Sequence, residues 1–202
     1  MTNLTINEIK SPTINSSNMY IDVNGQGKGT LTGTDVDPDL VSAKVERLLS
    51  FKEHMTREVN EASESNLFSA GQINAFPVKA TILKTQVDPY VRQAFYSATC
   101  IPQITIYRVS IISGVYKITE KIVYSDCYIL ECESAQSTEN SAIHTDLTAL
   151  DFAFRANQRE ETLYFFDQEG TPQGQNVTKI NFSQGTLTSS TDGGGGGDAA
   201  VS

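Results

Sequence analysis

Along most of this chain, apolar and polar residues alternate one by one. Thr148, Leu150, Phe152 and Phe154 alternate with Ala149, Asp151, Ala153 and Arg155, and Ile104 and Ile106 stand against Gln103, Thr105 and Tyr107. A period of two sends one set to a buried face and the other to a wetter one, which predicts strands. The runs PVKATILKT, PQITIYRV, VYKITEKIVYSDCYILECES, TDLTALDFAFRA and ETLYFFD are rich in Val, Ile, Thr, Tyr and Phe, the residues that fit a pleated surface. NMYIDV reads as the first strand, closed by NGQGKGTLTG, whose Asn24 and glycines supply the positive φ a turn needs. IISGVYK places a hairpin turn at Ser113 and Gly114. About seven antiparallel strands of this kind predict a mainly β fold, a small antiparallel β-barrel or sandwich.

Three segments break the pattern. DLVSAKVERLLSFKEHM fits both an alternating strand and an amphipathic helix, and we read it as a long second strand. TREVNEASESNLFSAGQIN, residues 56–74, is polar and acidic and reads as a long loop. Loops longer than about 12–15 residues in a compact domain are usually functional or disordered. QVDPYVRQAF opens one short α-helix, about residues 88–98. Asp88 suits the N-cap, Pro89 suits the first helical position, and Val91, Ala94, Phe95 and Ala98 share a face. Such a helix plugs one side of a barrel by burying Val91 and Phe95, or serves merely as a crossover.

The chain divides into an N-terminal arm (1–17), a β-barrel domain (18–170) and a C-terminal extension with a Gly-rich tail (171–202), in which KINFSQG is a candidate edge strand. With 202 residues and 39% hydrophobic content, one sizeable core is expected. The formal charge of −9 argues against nucleic acid and anionic lipid as partners. No window has the roughly eighteen consecutive apolar residues of a membrane span. The opening residues lack the basic and apolar regions of a secretory signal, so export would need another route.

Candidate chemistry is sparse. Cys127 and Cys132 lie an odd number of positions apart on one strand and would face opposite ways without a bulge; with Cys100 the count is odd, which fits reduced thiols. His54 and His144 offer no zinc spacing, so no metal is called for. GQGKGT at 25–30 has Gly29 where a phosphate loop needs Ser or Thr after its lysine. Asp35, Asp37, Asp39 and Glu46 fall near calcium-loop positions, but Leu40 stands where glycine is required. No nucleophile elbow is present, and no cofactor is called for. The strand at 117–133 is different: Ile118, Ile122, Tyr124, Tyr128 and Leu130, and also Val123, Cys127 and Ile129, give it bulky residues on both faces. Such a strand needs a second layer, which a neighbouring subunit would supply.

The order of elements resembles one family. MYIDVNGQGKGT, LVSAKVERLLSF, a polar loop closed by Gly71, VKATILKTQVDPYVRQAFYSATCIPQITIYRV, KIVYSDCYILECES, a loop at 134–146 and LTALDFAFRANQREETLYFFD are together similar to the haemolysin-coregulated protein (Hcp) family of type VI secretion, across roughly residues 18–170. The resemblance implies a tail-tube fold and a non-enzymatic subunit of hexameric rings that stack into a hollow tube. It further implies a contractile sheath, a spike (VgrG-like) protein and secreted effectors as partners, with assembly in the bacterial cytoplasm and release on firing. By position, Arg57, Glu58, Asn60, Glu64, Leu67 and Phe68 are its ring-stacking candidates, and Tyr124, Tyr128 and Leu130 its ring-interface candidates. A tail-tube subunit of a phage-like or extracellular contractile particle is the alternative within this architecture. A monomeric β-barrel enzyme or ligand-binding module is the alternative outside it, and would need a polar cluster converging inside the barrel.

Overall fold

Strands dominate the computed structural model, which describes residues 18–28, 36–61, 68–136 and 148–193. In chain order the elements are β1 (Met19–Val23), α1 (Pro38–Ser42), β2 (Glu46–Lys52), β3 (Met55–Glu61), β4 (Phe68–Ala75), β5 (Val78–Leu83), α2 (Val87–Ser97), β6 (Ile101–Ile112), β7 (Val115–Gln136), β8 (Thr148–Phe166), β9 (Pro172–Asn181) and β10 (Thr186–Gly193). The large sheet runs β10-β9-β8-β5-β2-β1-β6-β7, and β7 pairs back onto β8. That extra pairing closes β8, β5, β2, β1, β6 and β7 into an antiparallel barrel, which removes the free edges of those strands.

Strand β8 joins two parts of the molecule. Its first half pairs with β5, from Leu83 opposite Ala149 to Val78 opposite Phe154, and its second half pairs with β9, from Gln158 opposite Asn181 to Phe166 opposite Pro172. Strand β7 follows it along nearly its whole length. The β9–β10 hairpin is therefore a continuation of the barrel wall, and the strand suspected at KINFSQG belongs to a longer β9 followed by a strand that alternation did not reveal.

The predicted alternation fills the barrel. Leu150, Phe152 and Phe154 from β8 meet Ile104 and Ile106 from β6, Ile122, Tyr124 and Cys127 from β7, and Ile21 and Val23 from β1 in one buried cluster. Helix α2 adds Val87, Val91 and Ala94 to that cluster where the chain passes from β5 to β6, so the helix is part of the core as well as a crossover. A second cluster lies on the outer face of the same sheet: Leu40 of α1 and Val45 cover Tyr107, Val109 and Ile118. A register shift beside Glu120 moves Ile118 to that outer face, whereas Ile122 stays inside. The second layer expected from a neighbouring subunit is thus supplied, over this part of β7, by the chain's own α1.

The early segment departs from expectation in one respect. Residues 38–42 are helical, and the strand begins only at Glu46. Asp37 caps the helix by accepting from the Asp39 N–H at 3.0 Å, and Pro38 sits where its missing N–H costs nothing. Glycines act in two ways nearby. Gly25 has φ +71° in the turn after β1, as predicted, but Gly27 is needed for space: a Cβ there would lie 2.1 Å from the Lys44 carbonyl oxygen. The Ser113–Gly114 turn stands as predicted, with both residues at positive φ.

Helix α2 begins earlier than its sequence signals implied. Its first residue is Val87, so Asp88 is not the N-cap and Pro89 is not the first helical residue. Thr85 takes over the start, its Oγ1 accepting from the Val87 N–H at 3.3 Å and its carbonyl from the Asp88 N–H at 3.2 Å. Asp88 is buried and paired with Arg92 one turn on, at 2.8 Å. Arg92 also reaches Ser134 of β7, which ties the helix to the wall. Val91 is buried and Phe95 half-buried as expected, whereas Ala98 is exposed and left-handed at φ 49°.

Cys100, Cys127 and Cys132 are free thiols. A register shift between Ile129 and Glu131 brings Cys132 to the same interior cluster as Cys127, instead of the opposite face. His144 and most of the expected loop at 134–146 lie outside the described residues, as do the N-terminal arm, Asp35 and the end of the Gly-rich tail.

Candidate functional site

Within segment 56–74, expected as a loop, the described residues form a two-stranded ribbon. Strands β3 and β4 pair from Met55 opposite Ala75 to Glu61 opposite Phe68, in a sheet separate from the barrel. Arg57 stands opposite Ile73 and Asn60 opposite Ser69, and the register is irregular at Glu58. Of the other stacking candidates, Phe68 opens β4, and Glu64 and Leu67 lie outside the described residues. The ribbon is too polar to show a two-residue period, which is why it reads as a loop.

Two short links join this ribbon to the barrel: Glu53 and His54 on one side, Phe76 and Pro77 on the other. The rings of His54 and Phe76 pack at 4.8 Å, and the Phe76 N–H donates to the His54 carbonyl at 3.0 Å. Glu53 turns toward the wall. Its carboxylate accepts from Arg159 Nε at 2.7 Å, from Arg159 Nη2 at 3.0 Å and from the Tyr124 hydroxyl at 2.8 Å. Arg159, only 5% exposed, also donates through Nη1 to Glu161 at 2.8 Å. Burial alone would lower the Arg159 guanidinium, but Glu53 and Glu161 outweigh it and hold it above its ordinary value. Burial, and then the Glu53 charge, push the Tyr124 phenol far up, so it serves as a donor.

This polar group is the converging cluster that an enzyme or ligand-binding barrel would need, yet its charges are spent on one another. Both Arg159 nitrogens facing Glu53 are used, and so is the Tyr124 hydroxyl. Glu120 lies beyond it, within reach of Arg108 at 3.0 Å and beside Glu161. Burial, and then its hydrogen bond with Glu161, raise the Glu120 carboxyl against the opposing pull of Arg108. Nothing in the sequence marks Glu53, Arg159 or Glu161, because a lone Arg in a β run carries no sign of its partner. A crevice of about 490 Å³ opens beside Glu53 between ribbon and barrel, lined mostly by apolar residues such as Met55, Phe76 and Val78, together with Arg155. Among the described residues no group of His, Cys, Asp and Glu is arranged to hold a metal ion, and no helix is long and apolar enough to cross a membrane.

The predicted ring-interface residues divide. Tyr124 is 1% exposed inside the barrel, its ring against Phe154 and its hydroxyl on Glu53, so it is withdrawn from any outer surface. Tyr128 and Leu130 remain outside, 44% and 43% exposed on the same strand. The second half of β8 exposes Leu163 and Phe165, and Leu187 of β10 is exposed as well. Alternation does not mark these three as surface residues, because it fixes which residues share a face and not which face is covered.

No protein-family model and no curated protein matches the chain. Solved structures do. The chain is similar to a structure described as a type six secretion system protein, with a TM-score of 0.67 at 12% identity over 84% of this chain and 98% of that one. It is similar to Hcp1 from Salmonella typhimurium at a TM-score of 0.57 and 11% identity, over 84% and 97% of the two chains. It also resembles Hcp1 from the E. coli EAEC 042 pathovar at a TM-score of 0.56 and 8% identity, over 81% and 96%. At such identities the likeness is one of fold, and the fold is Hcp-like.

Proposed function

We propose, from this Hcp-like fold, that the chain is a structural, non-enzymatic subunit of the inner tube of a type VI secretion apparatus. Six copies form a ring, rings stack into a hollow tube inside a contractile sheath, and the tube is expelled behind a spike to deliver effectors. The observation that carries this reading is the likeness of the closed-barrel fold to a type six secretion system protein, at a TM-score of 0.67 over 98% of that chain. A ring is a heterologous assembly, so each subunit must offer two different patches. In this reading Tyr128 and Leu130, exposed on the barrel wall, form one apolar patch, and the β3–β4 ribbon that carries Arg57, Glu58, Asn60 and Phe68 would meet the next ring. In this reading the tube assembles in the bacterial cytoplasm and becomes extracellular on firing.

Light scattering of the purified protein, followed by negative-stain imaging, tests the proposal. Single rings with a native mass six times that of the 22.1 kDa chain, or tubes with whole multiples of the ring mass, are expected. A monodisperse monomer across a wide concentration range overturns it.

A further inference from the structure

The four residues that root the ribbon are held unequally. His54 and Phe76 hold each other, which fixes the two links side by side but does not fix their direction relative to the barrel. Glu53 alone among the four is shown bonded to the wall by its side chain, and its three donors come from two neighbouring strands, Tyr124 of β7 and Arg159 of β8. These two residues stand opposite each other in the β7–β8 register, so their donor atoms belong to one rigid patch of barrel. Arg159 is itself braced by Glu161, its neighbour two positions along the same strand face. A planar guanidinium gripping a carboxylate through two parallel N–H groups sets an orientation as well as a distance, which a lysine ammonium does not.

From this geometry we infer that Arg159 and Tyr124 are positioning residues for the ribbon: they clamp Glu53 and thereby fix the angle at which β3 and β4 leave the barrel. The ribbon needs such a device, because an isolated two-stranded hairpin is only marginally stable and its sheet is separate from the barrel's. The contribution to assembly rests on the tube reading, in which the ribbon meets the next ring; the contribution to ribbon order does not.

Hydrogen exchange on the intact chain separates the two. Glu53→Gln keeps the side chain's size and removes its charge, and Arg159→Lys keeps the charge and removes the fork. Both variants are expected to speed amide exchange at least tenfold in 55–61 and 68–75 while β6 and the first half of β8 stay near wild type. In images, the same variants are expected to give single rings that no longer stack. Unchanged ribbon exchange, or a rise shared equally by the barrel strands, overturns the clamp and leaves Arg159 as an ordinary buried ion pair. Should Arg159→Lys fail to fold, Tyr124→Phe removes one donor only and is read in the same way. If the wild type itself forms no rings, the tube reading falls, and the exchange result still decides the clamp.

Discussion

Tyr124 and Phe154 meet edge to face inside the barrel, their ring centroids 5.2 Å apart and their planes at 81°. The contact joins β7 to β8 at the depth of the core, and Phe152 extends it, 6.2 Å from Phe154. Edge-to-face aromatic pairs add about 0.5–1.5 kcal/mol beyond the area they bury. Phe154→Ala should therefore lose about 3–5 kcal/mol of unfolding free energy, the range for removing a buried aromatic ring. Urea unfolding followed by circular dichroism measures the loss, and a cost below 1 kcal/mol would show that this pair is not central to the core.

Gly27→Ala should be costly although the position shows no unusual φ. The new methyl would lie 2.1 Å from the Lys44 carbonyl oxygen, a backbone atom that cannot swing aside. Forced overpacking typically costs about 1–3 kcal/mol. Gly25→Ala has open space around it and bears only the strain of φ +71°, about 1–2 kcal/mol for a left-handed residue. Thermal melts of the two variants measure both costs, and an unchanged melting temperature for Gly27→Ala would show that the space beside Lys44 is not needed.

The acidic limb of the stability profile should carry an unusual sign at Glu120. Burial and the neighbouring Glu161 raise its carboxyl above the ordinary 4.5, against the opposing influence of Arg108 and Arg159. A raised carboxyl binds its proton more tightly in the folded chain than in the unfolded one. Its stabilising contribution is therefore complete below pH 4.5 and is lost as pH rises through the folded value. Glu120→Gln should remove that decline, seen as a flatter dependence of unfolding midpoint on pH between 4 and 7 than in wild type. Asp22, raised chiefly by burial, adds to the decline in both proteins and cancels in the comparison.

Tyr128→Glu and Leu130→Glu should separate assembly from folding. Both side chains are more than two-fifths exposed in the single chain, so substitutions there are expected to change its stability by no more than about 0.5 kcal/mol. Placed in an apolar contact between copies, an unpaired carboxylate would be disruptive. The expected outcome is an unchanged melting temperature in dilute solution with a native mass shifted toward the monomer; sedimentation velocity reads the second quantity. Unaltered rings would remove this patch from the interface.

Legibility in the sequence followed burial. The residues from Leu150 to Phe154 declare themselves because one face meets a core and the other does not, and Ser113–Gly114 declares itself because few residues accept positive φ twice in succession. Helix α2 was visible through Val91, Ala94 and Phe95, but its start was displaced because the threonine side chain at 85, not the carboxylate at 88, accepts the first N–H. Residues 38–42 carried a sound Asp-Pro helix start that a stronger-looking alternation overrode. The ribbon and β10 left little trace, since a strand such as TLTSSTDG, exposed along its described length, has no buried face to impose a period. The Glu53–Arg159 pair spans 106 positions, and nothing in either residue's neighbourhood names the other.

Strand β8 also makes the molecule a mechanical unit. Because a single backbone serves the barrel through β5 and the hairpin through β9, with β7 alongside both, a pull on the β9–β10 hairpin travels along β8 into the β7–β8 ladder. That ladder is loaded lengthwise, so its hydrogen bonds share the force in shear instead of parting one at a time. A thrust delivered to the outer hairpin is thereby passed to the barrel without a hinge to absorb it.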